Sequence, residues 1–176
     1  MAIDTLTIYA GTYNSADDAL DDYDAVHALH SELGLIDAYD AAVIAKRDDG
    51  KVKVVKKHET PTRVGGLAGG GLGLAMGLVI ALFPAAAIGT GLLAGTTAGG
   101  AVLGALAGHA VAGMKRHDLK ELGEQLDEGQ AGLVVVAASN IESKVRHAMA
   151  RADKVAEKQL KADLKELEKE AKEAES

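Results

Sequence analysis

Apolar and polar positions along this chain change their period several times, and each change marks an element. Thr5 to Tyr13 (TLTIYAGTY) is β-branched and aromatic and ends in polar turn residues, which predicts a first strand. Ser15 then opens an S-x-x-D start with Asp18. Leu20, Tyr23, Val26, His30 and Leu33 follow at helical spacing, and Gly34 suits the C′ position. This predicts an amphipathic helix of roughly 18 residues with an acidic outer face. Ala41 to Ala45 and Val52 to Val55 read as a hairpin closed by Asp49-Gly50, with Lys51 to Val54 alternating charged and apolar. Beyond a long uncharged block, Leu119, Leu122 and Leu126 share one face of a short helix. Gly132 to Ala138 (GLVVVAA) is a continuous apolar run, the pattern of a buried strand.

The predicted order is β-α-β-β-α-β, a ferredoxin-like α+β domain. The uncharged block is inserted between its third strand and its second helix. Residues 1–60 supply the first part of this domain, 64–114 the insert, 115–139 the second part, and 140–176 a charged C-terminal helix. In that last segment Asn140 is a candidate cap. Ile141, Val145, Ala148, Ala152, Val155, Leu160, Leu164, Leu167 and Ala171 form a stripe at three- and four-residue steps. Glu157–Lys161 and Glu168–Lys172 add i,i+4 pairs. Such a helix is expected to dock across its own domain, to pair with a neighbouring subunit as a coiled coil, or to remain a solvated tail.

The block itself runs from Val64 to Met114, 51 residues without a formal charge. Phe83-Pro84 divides it. Val64 to Leu82 would span about 28 Å as a helix, close to a hydrocarbon core of about 30 Å. Ala85 to Met114 predicts a second helix, so that the insert is a helical hairpin. Its glycines are ordered: Gly65, Gly69, Gly73 and Gly77; then Gly91, Gly95 and Gly99; then Gly100, Gly104 and Gly108. A step of four places each set on one helix face, where another backbone approaches closely. Fifteen glycines in this block do not suit isolated helices in water, since each costs about 1 kcal/mol against alanine. They suit tight helix–helix contact.

Two environments satisfy this pattern. One is a membrane. The basic clusters at Lys51, Lys53, Lys56, Lys57 and Arg63, and at Lys115, Arg116 and Lys120, would then mark the cytoplasmic side. The protein would sit in a bacterial inner membrane with a cytoplasmic α+β domain. The other is a soluble cytoplasmic homo-oligomer, a shell or scaffold with the hairpins buried between subunits. The second helix favours it, because its centre, AGTTAGGA, is poor in large apolar side chains. A monomer exposing the block to water is excluded, since so large an apolar patch would aggregate.

Composition narrows the functional classes. The net charge of −7 argues against a general nucleic-acid binder. Met1 to Ala45 holds nine acidic residues and no Lys or Arg. With no cysteine, a disulfide framework, a thiolate nucleophile and a Cys-ligated metal are all ruled out. MAIDTLTIYAGTY lacks the basic and apolar regions of a secretory signal.

Candidate chemistry is sparse. Asp24, His27 and His30 stand at a spacing that would place metal ligands on one side of the first helix, but covering the sheet explains the histidines better. His109 lies in the block near the Lys115 edge, where an interhelical hydrogen bond fits it better than an ion pathway. GGLAGGGLG lacks the Gly-Lys-Ser/Thr ending of a phosphate loop. Ser15, Ser31, Ser139, Ser143 and Ser176 have no evident His/Asp partners.

DAAVIAKRDDGKVKVVKK, the glycine-zipper block and DLKELGEQLDEGQAGLVVVA together resemble a bacterial family of domains of unknown function, described as predicted membrane proteins with relatives among general stress proteins. The resemblance runs from about Thr5 to Ser139, with Asp118 to Val136 its most specific stretch. It implies architecture and a link to stress, and no chemistry. The expectation is a non-enzymatic, self-assembling protein without a cofactor, whose partners are its own copies and a lipid membrane.

Overall fold

The computed structural model describes residues 4–31, 39–58, 75, 78–79, 82–83, 114–138 and 142–162. They form β1 (Asp4–Tyr13), α1 (Ala16–Ser31), β2 (Tyr39–Lys46), β3 (Val52–His58), α2 (Arg116–Glu128), β4 (Ala131–Ala138), α3 (Glu142–Ala148) and β5 (Lys154–Ala162). The fold is α+β, and the order β-α-β-β-α-β is present as far as β4.

All pairings in the five-stranded sheet are antiparallel, in the order β3-β2-β4-β1-β5. A ferredoxin-like sheet would seat the first strand beside the third. Here β4 takes that place, with Ile8 opposite Val136 on one side of it and Asp40 opposite Val136 on the other. β1 to β4 are the expected strands, arranged differently, and β5 is an unexpected fifth.

Local chemistry fixes each element. Ser15 Oγ accepts from the Asp18 N–H at 3.2 Å and so caps α1. Gly50 takes φ +78° in the β2–β3 turn, which its missing Cβ permits. The Arg47 N–H donates to the Lys51 carbonyl at 2.8 Å to close that hairpin. In α2, Leu122 and Leu126 are buried and Leu119 packs beside them, as the spacing required.

Both sheet faces are covered. One packs Leu6, Ile8, Ala10, Ala42, Ile44, Val134 and Val136 under α2 and under Ala75, Leu78, Val79 and Phe83. The other packs Tyr9, Tyr13, Val43, Leu133 and Val135 under α1 and α3. Burial on both faces is why β4 reads as an unbroken apolar run instead of alternating.

The C-terminal helix predicted over 140–176 is not what forms. α3 stops at Ala148, a turn follows, and Lys154–Ala162 lies as β5 along β1. The predicted coiled coil goes with it. So does the Glu157–Lys161 helical pair, while Leu164, Leu167, Ala171 and Glu168–Lys172 lie outside the described residues. The physical reason is β1. Leu6, Ile8, Tyr9 and Tyr13 bury on its two sides, and without β5 this apolar strand would be an open edge. Pairing across the sheet overrides the helix preference of Lys, Glu, Gln, Leu and Ala.

Candidate functional site

Polar side chains gather at two points along α1. At the first, Tyr13 reaches back from the end of β1, and its hydroxyl donates to Asp22 Oδ2 at 2.9 Å. The same oxygen accepts from the Arg151 N–H at 2.9 Å, and the Arg151 guanidinium donates to Asp21 at 2.9 Å. Asn14 Nδ2 donates to Asp153 at 3.2 Å, and the Asp153 N–H donates to the Thr12 carbonyl at 2.8 Å. Asp22 is 3% exposed. Its burial pushes the carboxyl above the usual carboxylate range, against the lowering effect of the Arg151 N–H and the Tyr13 hydroxyl. Burial, with Asp22 alongside, raises the Tyr13 phenol far above its ordinary value. A phenol held protonated and a carboxylate with its donors in place make a fastening between α1, β1 and the turn after α3.

The second point depends on a β-bulge. The β2–β3 register shifts between Val43 and Ile44, so that Ile44 faces Val54 while Val43 faces Lys56. Val55 is the extra residue, and it is 40% exposed. The irregularity turns Lys56 onto the α1 side of the sheet. There its ammonium donates to Asp24 at 2.7 Å and stands 4.6 Å from the centre of the Tyr23 ring. Hydrogen bonding to Asp24 raises the Lys56 pKa above its ordinary value. Beside it, the Tyr39 hydroxyl and His27 Nδ1 are hydrogen bonded at 2.5 Å. Burial keeps the Tyr39 phenol well above its usual range.

The metal spacing Asp24, His27, His30 is thus divided: Asp24 meets Lys56, His27 meets Tyr39, and the His30 side chain lies outside the described residues. Among the described residues no group of three His, Cys, Asp or Glu side chains has the geometry to hold a metal ion. Ser15 serves as the cap of α1, hydrogen bonded to Asp18.

The third feature is the sheet face beneath the uncharged segment. Ala75, Leu78, Val79 and Leu82 are helical, and their i, i+3, i+4, i+7 spacing aims one stripe at the sheet. Ala75, Leu78 and Val79 are at most 1% exposed. The Phe83 N–H donates to the Val79 carbonyl at 3.1 Å, and its ring is buried with Ile44, Val52, Leu122 and Leu126. The dimple left between Ile44, Lys46, Val52, Phe83 and Leu126 is too narrow for a water molecule.

This packing corrects the membrane expectation. No helix among the described residues is long and apolar enough to cross a membrane, and the large side chains described in the first half of the block serve a protein core. The glycines expected to mediate assembly, Gly65, Gly69, Gly73, Gly77, Gly91, Gly95, Gly99, Gly100, Gly104 and Gly108, lie outside the described residues, as does His109.

Sequence reasoning missed Asp22, reading only a general acidic outer face on α1. The only signal was its position three residues after Ala19 and four before Val26, both of which turn inward. It also missed Arg151 and Lys56 as partners, because no sequence spacing connects them to α1.

The molecule is an α+β protein whose antiparallel sheet is covered on both faces, one cover formed by α2 with Ala75, Leu78, Val79 and Phe83 of the uncharged segment. The chain belongs to the family described as Protein of unknown function (DUF1269), whose model matches residues 66–172. The match takes in the uncharged block, α2, β4, α3 and β5. It therefore extends beyond Ser139, where the resemblance read from the sequence stopped. The family's description assigns it no function. No curated protein and no solved structure matches the chain.

Proposed function

We propose that this chain is a non-enzymatic, self-assembling protein: a homo-oligomeric shell or scaffold in which the uncharged hairpins are buried between copies. The observation that carries the reading is the packing of Ala75, Leu78, Val79 and Phe83 onto the sheet. It supports a protein core as the environment of these described side chains and points them in one direction. Counted at helical spacing from Leu78 and Val79, Gly73 and Gly77 fall on the opposite side. On this reading that side, and the Gly91-Gly95-Gly99 and Gly100-Gly104-Gly108 faces, meet equivalent faces of other copies. Contact between flat glycine faces gains dispersion energy from close backbone approach. The reading also answers the aggregation problem, since assembly removes the apolar area from water.

The test is the state of the full chain in detergent-free buffer, by size-exclusion chromatography with light scattering. A single discrete particle larger than one chain is expected. A monodisperse monomer would reject the proposal.

A further inference from the structure

β5 is the element whose local sequence argues most strongly against its structure. KVAEKQLKA is built from helix formers and continues a helical stripe, yet it lies extended along β1. Such a conflict between local preference and tertiary placement marks a segment of low local stability.

Among the described side chains of β5, which end at Gln159, little apolar burial holds the strand in place. Among its described side chains only Ala156 is buried, while Val155, Glu157 and Lys158 are half-buried. What fastens it, besides the ladder to β1, is charge. Lys158 Nζ stands 2.6 Å from Glu121 and 3.7 Å from Asp118, both on α2. Lys154 meets Glu128 of α2 at 3.0 Å, and Glu157 meets Arg146 of α3 at 3.4 Å. His117 is 3.9 Å from Glu121 and adds charge only when protonated. On the other side β1 presents Ile8, Tyr9 and Ala10 opposite Lys158, Glu157 and Ala156, with no charged group in that stretch. The exposed Lys154–Glu128 pair contributes little, the half-buried Lys158 pairs somewhat more, and all of them weaken with salt, the exposed one most.

We propose that β5 is a detachable edge strand and that its release opens β1 to the β5 of a second copy, so that two copies exchange the strand reciprocally. The occupant follows from the register. β1 pairs with β5 over nine positions, from Asp4↔Ala162 to Thr12↔Lys154. The strand complementary to this edge is β5 itself, and a neighbour's β5 reproduces the same ladder and the same Lys158 clasp without any new surface. The joint lies at Met149 to Asp153, whose backbone Arg151 ties to Asp22. The exchange concerns the sheet edge and stands apart from the glycine faces.

Acid and salt promote release. The Lys158 hydrogen bond and charge lower the Glu121 pKa. The clasp is therefore complete above the ordinary carboxylate range and is lost as pH falls through the lowered value.

The test mixes two full-length pools, Thr7→Cys and Gln159→Cys, one carrying a larger tag; the chain has no cysteine of its own. Thr7 and Gln159 are paired across β1 and β5. The pools are held in acid well below the ordinary glutamate range, returned to neutral pH and oxidised; the double variant in one chain shows that the pair can bridge. Exchange predicts a mixed covalent dimer that accumulates about tenfold faster after acid, and in neutral buffer about tenfold faster when both pools carry Lys158→Met. Hydrogen exchange on the wild-type chain supplies a readout without cysteines, with β5 amides exchanging ahead of β4. If β5 exchanges only together with β4, it is no detachable edge. If it exchanges early but no mixed dimer forms while the double variant bridges, a second copy is not its occupant.

Discussion

Leu82 and Gly123 meet at close range. A Cβ on Gly123 would lie 3.6 Å from the Leu82 carbonyl oxygen and 3.9 Å from its Cδ2. This contact joins the uncharged segment to α2, and it leaves room for one methyl group. Gly123→Ala should therefore raise stability by about 0.5–1 kcal/mol, because alanine favours the helix interior and meets only ordinary contacts. Gly123→Leu should cost about 1–3 kcal/mol, because the longer side chain presses on Leu82. Urea unfolding of the three proteins checks both signs.

Asp22 gives a pH prediction. Its folded pKa is raised, mainly by burial. The folded state thus holds the proton more tightly than the unfolded state, and this group's contribution falls as pH climbs from the ordinary aspartate range through the raised value. Asp22→Asn keeps a side-chain oxygen for the Tyr13 hydroxyl and the Arg151 N–H without a buried charge. It should flatten the decline over that window. Asp22→Ala leaves both donors without this acceptor and should cost about 1–3 kcal/mol for each donor that water fails to reach. Thermal midpoints measured from acid to neutral pH separate the two.

Lys56→Met tests how much the bulge-directed pair contributes. Lys56 and Asp24 side chains are 45% and 63% exposed. The ion pair and the contact with the Tyr23 ring should together be worth less than about 1.5 kcal/mol, and the ion-pair part should fade in high salt. A loss well beyond this would show that the pair organises α1.

Gly132 takes the opposite role to Gly123. A Cβ there would stand 2.9 Å from Leu126 Cδ2 and 3.1 Å from Ile44 Cγ1. Gly132→Val should push α2 off the sheet and cost more than about 2 kcal/mol. Denaturation in urea would show it as a lower midpoint with an unchanged slope.

Elements whose period and caps agree with their environment were legible from the residues: β1, the start of α1, the Asp49-Gly50 hairpin, α2 and β4. β5 was not, because its own residues favour a helix and the demand for a strand comes from the apolar edge of β1. The sheet order was hidden as well, since strand neighbours are chosen by packing across the whole domain. At the candidate site Asp24 and His27 stood out on α1, but Lys56, which meets Asp24 from 32 residues away, depends on a bulge that no alternation rule announces. The Leu78, Val79 and Leu82 stripe is present in the sequence. Its direction toward the sheet is a tertiary fact, and it is what turned the reading away from lipid.

The central claim is that the period-four glycines of the uncharged block are contact surfaces between copies. The most direct measurement is the mass of the full chain by light scattering, without detergent, for wild type, Gly73→Leu, Gly95→Leu and Leu74→Ile. The bulky replacements should force the faces apart and reduce the mass toward that of one chain, while Leu74→Ile keeps volume and should cost under about 1.5 kcal/mol with the assembly intact. Wild-type mass and thermal midpoint retained by both Gly73→Leu and Gly95→Leu would contradict the account.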